Sequence, residues 1–225
     1  MPKSVEQLAL AHLRKSELAR EERAESGQAV VNPVITISRS MGSGGLITAQ
    51  ILADDLGFSL WDRELIDAMA GASQMPPEIV QAFDERTHSD VELFILACLG
   101  KPEMSGFLYL KHLTRIVAAI ASVGNAIILG RGVNFLIPNA LNVRMDASIK
   151  CRVLNMVEFE NLDRQTAEEK IRRSDREREQ YLISLFGKER ARSFNYDISL
   201  WMDKLTPACA AEMIKTAYKG FYQSK

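Results

Sequence analysis

Residues 34–47, VITISRSMGSGGLI, constrain the chain more than any other stretch. Val34-Ile-Thr-Ile reads as a buried β-strand, and it runs through Ser38, Arg39 and Ser40 into a turn holding Gly42, Gly44 and Gly45 ahead of a helical pattern. Glycine has no Cβ, so such a turn can adopt φ > 0 and bring several backbone N–H groups towards one anion. A helix starting near Gly45 adds its unpaired first-turn donors and the positive end of its dipole, roughly half an elementary charge. Gly42, Ser43, Gly44, Gly45 and Leu46 are therefore the candidate phosphate-binding residues. The turn departs from two standard patterns. With Gly44 as its second glycine, G-x-x-x-x-G-K-[ST] asks for glycine, lysine and a hydroxyl residue where this chain has Arg39, Gly45 and Leu46. G-x-G-x-x-G from Gly42 would place its third glycine at Ile47.

Composition narrows the class. The 225 residues, 47% apolar and 25% charged, suffice for one domain with a large core. A net charge of −1 argues against a general nucleic-acid binder, which needs a basic surplus. Cys98, Cys151 and Cys209 are dispersed, and His12, His88 and His112 lack ligand spacing, so neither disulfides nor zinc is indicated. A reducing cytoplasm fits best. No apolar run reaches the ~18 to 20 residues of a membrane span, and the first residues lack the basic-then-apolar order of a signal segment.

Residues 1–32 read as a helical arm and linker, because residues 4–26 are rich in strong helix formers with Leu10, Leu13 and Leu18 set among charges. A solvated helix is the default meaning; contact with a partner or a second copy of the chain is the alternative. Residues 33–225 then alternate between strand and helix. After the glycine turn, Ile47, Ile51, Leu52 and Leu56 are spaced for a helix packed on a sheet, with Gly57 as its C-terminal cap. Residues 58–61 read as a second strand leading into Asp62, Arg63 and Glu64, where Asp62 is either a helix cap or a ligand contact. Residues 64–123 form a helical insertion whose charged connection at Glu85, Arg86, His88 and Asp90 reads as a solvated loop, and whose Phe94, Ile95 and Leu96 read as core.

Residues 126–129 are a continuously apolar run of the kind buried in parallel sheets, and they end in Gly130-Arg131-Gly132. A guanidinium flanked by glycines can approach and grip a phosphate with its planar fork, which makes Arg131 a ligand candidate. Residues 142–145 read as a fourth strand with a helix from Asp146 onward, residues 163–192 as a lid, and residues 196–200 as a fifth strand. The lid carries Arg172, Arg173, Arg176 and Arg178 interleaved with Asp175, Glu177 and Glu179. Thr206-Pro207 starts the last helix with a cap and a proline. The alternation predicts an α/β fold around a parallel sheet of about five strands.

Several motifs, in order, resemble those of the cytidylate-kinase-like branch of the nucleoside monophosphate kinases, within the P-loop kinases. They are Ile35-Thr-Ile-Ser-Arg39 with Gly42-Ser-Gly-Gly45, Leu56-Gly57 with Trp61-Asp-Arg-Glu-Leu-Ile66, Leu129-Gly-Arg131, Asp175-Arg176 with Arg178, and Tyr196-Asp197. The resemblance implies a P-loop NTPase-type three-layer fold with a five-stranded parallel sheet of order 2-3-1-4-5, a helical insertion and a helical lid. It implies ATP with Mg²⁺ as donor, a pyrimidine monophosphate such as CMP as acceptor, and ADP plus the diphosphate as products. Residues 42–46 would then hold the donor phosphates, and Asp62, Arg63 and Arg131 the acceptor. With no loop lysine, Arg39 at the loop entrance and the lid residues Arg172, Arg176 and Arg178 are the cations that remain for catalysis. Leu46 stands where the branch usually has arginine, Ile47 where cytidylate kinases have a hydroxyl, and Gly132 where they have aspartate. Ser43 or Thr48 is left to face a magnesium ion. A nucleotide sensor without turnover, using its arm and insertion to contact another protein, is the second reading.

Overall fold

The structure is a computed structural model, and it describes residues 32–71, 104–193 and 195–223 together with Gln7, Ala11, His12, Arg14, Lys15, Leu18 and Glu21 of the arm. Its core is a five-stranded parallel sheet in the order β2-β3-β1-β4-β5. The strands are β1 (Val34–Arg39), β2 (Ser59–Trp61), β3 (Ala126–Leu129), β4 (Leu141–Asp146) and β5 (Ile198–Trp201). The described helices are α1 (Gly45–Leu56), α2 (Arg63–Gly71), α3 (Met104–Val123), α4 (Ile149–Glu160), α5 (Arg164–Phe186), α6 (Lys188–Arg192) and α7 (Pro207–Gln223).

Strand alternation builds the layers. Ile35 and Ile37 of β1 join Ile127, Leu129, Val143 and Met145 on the face covered by α1 and α7, where Leu52, Ala210 and Ile214 complete a dry core. The opposite face carries Val34, Ala126 and Ile128 under Leu110, Leu113, Ile116 and Val117 of α3. Between β1 and β4 that second face turns polar. Thr36 donates to Asn142 Oδ1 at 2.7 Å, and Ser38 lies beside Arg144 in the next aligned pair. A parallel sheet buried on both faces has little reason to carry such a seam unless something polar is placed above it.

Local chemistry sets the boundaries. Gly57 ends α1 in the left-handed conformation at φ 68°, and Asp163 caps α5 by accepting from the Thr166 N–H at 3.0 Å. Two of the departures from the sequence pattern have a visible cause. β4 continues through Asp146, and α4 begins only at Ile149 because Ser148 is its cap, with Oγ accepting from the Cys151 N–H at 3.2 Å. β5 starts at Ile198, since Asp197 turns its carboxylate to accept from the Asn142 N–H at 2.7 Å.

The arm is less solvated than its charge suggests. Lys15 Nζ donates to the Phe58 carbonyl at 2.9 Å, and the His12 ring lies 5.2 Å from that of Trp61, so these two arm residues lie against the sheet edge at β2 and the residue before it. Burial and the nearby Lys15 lower the His12 pKa, and Asp62 opposes them. Glu85, Arg86, His88, Asp90, Phe94, Ile95, Leu96 and Cys98 lie outside the described residues. No helix among the described residues is long and apolar enough to cross a membrane.

Candidate functional site

The glycine turn sits at the carboxyl end of β1, where parallel α/β sheets place their ligands. Gly42 and Gly44 take φ values of 78° and 81°. Its carbonyls are tied back into the protein: Ser43 Oγ donates to the Ser40 carbonyl at 2.8 Å, Arg152 Nε to Met41 at 2.6 Å, and Asn155 Nδ2 to Gly42 at 2.7 Å. With these oxygens engaged from behind and the Ser43 N–H turned to the Ser40 carbonyl at 3.3 Å, the N–H groups left for the open side are those of the first turn of α1. Gly44 caps α1 without a side-chain hydrogen bond, so no side chain competes for the first-turn donors. The open side is a cleft of about 480 Å³ walled by residues 39–47, Phe159, Leu205 and Pro207.

Gly45 does not have a positive φ, and its smallness serves a different purpose. A Cβ there would stand 2.7 Å from Arg39 Cβ and 2.8 Å from Arg39 Cγ. The Arg39 stem fills the space that a side chain at position 45 would need. Its guanidinium runs on to the other glycine turn, where a Cβ on Gly130 would be 2.6 Å from Arg39 Nη1. Burial holds the Arg39 pKa below its ordinary value, the nearby Arg63 and Arg131 lower it further, and Asp62 opposes them. Arginine remains a cation at neutral pH regardless.

A second cleft of about 200 Å³ opens on the inner side, under α5 and over the polar seam. Arg39, Arg63, Arg131, Arg144 and Arg178 line it, with Ser38, Asn134 and Tyr181. Arg39 and Arg178 line both clefts and so form the wall between them. Arg178 Nη1 donates to the Arg39 carbonyl at 2.5 Å. Its pKa is pushed down to about 10, first by burial and then by Arg39, with Asp175 opposing.

The model of the cytidylate kinase-like family matches residues 34–204, which span the sheet, α5, the inner cleft and all of the outer cleft except its edge at residues 205–207. The chain belongs to this family. No curated protein matches it. Among solved structures, an uncharacterized protein from Eubacterium ventriosum ATCC 27560 superposes with a TM-score of 0.61 at 20% identity, covering 84% of this chain and 99% of that one. TT1252 from Thermus thermophilus superposes with a TM-score of 0.42 at 15% identity, covering 84% and 98%. The first supports the fold.

Against the cytidylate kinase-like pattern, the site residues divide. Gly42, Ser43, Gly44, Gly45 and Leu46 line the outer cleft, with Leu46 55% exposed at its rim. Arg39, Arg63, Arg131 and Arg178 meet at the inner cleft. Asp62 takes the capping role, accepting from the Leu65 N–H at 2.9 Å, and reaches the site through its charge on Arg39. Arg172 and Arg176 lie on the solvent side of α5, and Arg172 is bonded to Glu168 one turn earlier. The reason is helical phase: Ser174, Arg178 and Tyr181, at i, i+4 and i+7, form the inward face.

A magnesium ion finds no ready ligands in the two hydroxyls the sequence offers. Ser43 Oγ is turned to the Ser40 carbonyl, and Thr48 Oγ1 to the Gly44 carbonyl at 3.1 Å. Asp146, at the end of β4, is occupied by Arg144 Nη2 at 2.8 Å and the Ala147 N–H at 2.9 Å. Among the described residues no group of three or more metal-ligating side chains assembles. Neither hydroxyl is turned to the cleft in this conformation, and an ion carried in on ATP would draw most of its ligands from phosphate oxygens and water.

Sequence reasoning passed over Arg152, Asn155, Asp67, Tyr109, Asn134 and Arg144. Arg152 is 4% exposed and pairs through both terminal nitrogens with Asp175, at 2.9 and 2.7 Å, while its Nε holds the loop. A buried arginine in the amphipathic pattern of α4 was the one signal available, and only the fold shows that it reaches Met41.

Proposed function

We propose that this member of the cytidylate kinase-like family transfers the γ-phosphoryl group of ATP to a nucleoside monophosphate such as CMP. The observation that carries the reading is the shared wall: Arg39 and Arg178 face both the phosphate-loop cleft and the arginine-lined inner cleft. In such a transfer an acceptor phosphate oxygen attacks the γ-phosphorus while the bond to the bridging oxygen breaks and ADP leaves. Charge spreads over the oxygens in flight between donor and acceptor, and fixed cations at that boundary stabilise it. The protein supplies alignment and charge, with no covalent intermediate.

Arg39 replaces the absent lysine in this reading. It enters from the end of β1, lies across Gly45 and delivers its guanidinium to the wall. Arg178 comes from α5 and completes the pair. Arg63 and Arg131 hold the acceptor phosphate.

The test is a coupled assay for ADP release with purified protein, ATP and each common nucleoside monophosphate, alongside Arg39→Lys and Arg178→Gln. Turnover with one monophosphate that falls by about a hundredfold or more in either variant fits loss of one transition-state stabiliser. A second reading, a nucleotide sensor, is favoured by the engagement of Arg131 with Asp67 and by the two hydroxyls turned into the backbone. Binding of ATP without turnover on any acceptor would select it.

A further inference from the structure

Arg131 already holds a carboxylate. Its Nη2 pairs with Asp67 Oδ2, Arg63 Nε lies 3.6 Å from the same oxygen, and the Tyr109 hydroxyl donates to Oδ1 at 2.8 Å. Tyr181 closes the opposite side, with its ring 4.6 Å from the Arg131 guanidinium carbon and its hydroxyl donating to that of Tyr109 at 3.2 Å. One carboxylate thereby joins α2, α3, the turn after β3 and α5.

Two details separate this cluster from an ordinary structural ion pair. Arg131 Nε is buried with no hydrogen-bond partner, on a residue that lines the inner cleft. The Arg131 backbone is left-handed at φ 55° between two glycines that are also left-handed, at 79° and 68°. That conformation is disfavoured for a long side chain by about 1 kcal/mol or more. Asp67 takes Nη2 and the Tyr181 hydroxyl is a second partner of the guanidinium, yet Nε stays unmet at some backbone cost, and buried donors normally find partners. A phosphate has the extra oxygens and the second negative charge to satisfy what one carboxylate leaves.

Resting on the acceptor role of Arg131, we propose that Asp67 is a specificity-determining stand-in for the acceptor phosphate. Its carboxylate occupies the Arg131 fork and yields only to an anion more highly charged than itself. Phosphate monoesters in their dianionic form pass this threshold, and singly charged acceptors do not. Tyr109 sets how firmly the stand-in is held. Displacing Asp67 also releases its tie to α3, so acceptor binding acts on the helical insertion.

The test is calorimetric titration of inorganic phosphate at pH 8 into the wild-type chain, Asp67→Asn, Tyr109→Phe and Glu177→Gln. The first two variants are near-isosteric, and melting curves check that each is folded. Phosphate affinity is expected to rise roughly tenfold in Asp67→Asn and about threefold in Tyr109→Phe, which loosens the carboxylate without changing formal charge. Glu177 lines the same cleft without touching Arg131, and Glu177→Gln is expected to change affinity less than about twofold. Acetate should compete with phosphate in Asp67→Asn and not in the wild type. Equal phosphate affinity in wild type and Asp67→Asn overturns the proposal. So does a gain in Glu177→Gln as large as that in Asp67→Asn, a loss in Tyr109→Phe, or absence of phosphate binding throughout. Tighter phosphate binding in Asp67→Asn with no kinase turnover supports the stand-in and leaves the kinase reading alone to fail.

Discussion

At the scale of single residues, Arg39 and Gly45 behave as one unit. The Arg39 stem lies where a side chain on residue 45 would go, so Gly45→Lys in the wild-type chain overpacks the loop entrance and should cost about 1 to 3 kcal/mol. Arg39→Gly combined with Gly45→Lys should recover most of that loss, and equal urea midpoints for the single and double variants would show that the two positions are independent. Here the sequence was legible only halfway. Three glycines announce a turn, but spacing does not say which need φ > 0 and which must stay small for a neighbour. Asp146 gives a second residue-level expectation. Burial acts to raise its pKa, yet hydrogen bonds from Arg144 and Ser40, the Arg144 charge and the Ala147 N–H bring it below the ordinary carboxylate value. A depressed folded pKa stabilises above the unfolded value, near ~3.9, and that stability is lost as pH falls through the folded value. Asp146→Asn should therefore be less stable than wild type at pH 7, and the gap should close in the acid range. A gap that persists unchanged at acid pH would mean that the carboxylate charge is not what stabilises.

Among the elements, α4 and α5 decide the shape of the glycine loop. Arg152 and Asn155 on α4 hold the carbonyls of Met41 and Gly42, and Asp175 on α5 holds Arg152. Asp175→Asn leaves a buried guanidinium short of its counter-charge, for about 1 to 3 kcal/mol after discounting the partial exposure of Asp175. Because the strain falls on the residue that holds Met41, ATP affinity should drop with stability. Unchanged nucleotide titrations in a destabilised Asp175→Asn would confine the pair to packing. The sheet and its helices could be read from the chain because burial on both faces leaves long apolar runs, as in residues 126–129. The lid could not. Arg172 and Arg176 stand out by charge density, whereas the inward face belongs to Ser174, Arg178 and Tyr181, two of them uncharged. The arm also changes meaning, since Lys15 and His12 rest on β2. Deleting residues 1–30 strips a cover from Trp61, and a loss of roughly 1 to 2 kcal/mol should lower the melting midpoint by a few degrees. No change at all would return the arm to solvent.

Over the whole molecule, a net charge of −1 conceals a strong local imbalance, because five arginines line the inner cleft. After burial, the Arg39 charge lowers the Arg178 pKa, and Arg63 and Arg131 lower that of Arg39, so like charges crowd there. Both remain cations at neutral pH, so the fold holds a repulsion that a polyphosphate between them would relieve. Pyrophosphate or ATP should then stabilise the protein well beyond any effect of chloride at equal ionic strength. At about a hundredfold excess over the dissociation constant the gain is ~2.7 kcal/mol, or roughly 5 to 11 °C in melting midpoint for a chain of this size. Arg178→Gln separates relief of repulsion from simple binding. Removing one of the two charges should leave the unliganded midpoint at low salt no lower than wild type, despite the lost bond to the Arg39 carbonyl, and should shrink the pyrophosphate shift to less than half. Added salt should raise the wild-type midpoint more than that of Arg178→Gln, since only the wild type has the pair to screen. If Arg178→Gln instead melts far below wild type and keeps the full pyrophosphate shift, Arg178 is a tether between α5 and β1, and the charge that meets the phosphates comes from Arg39 alone.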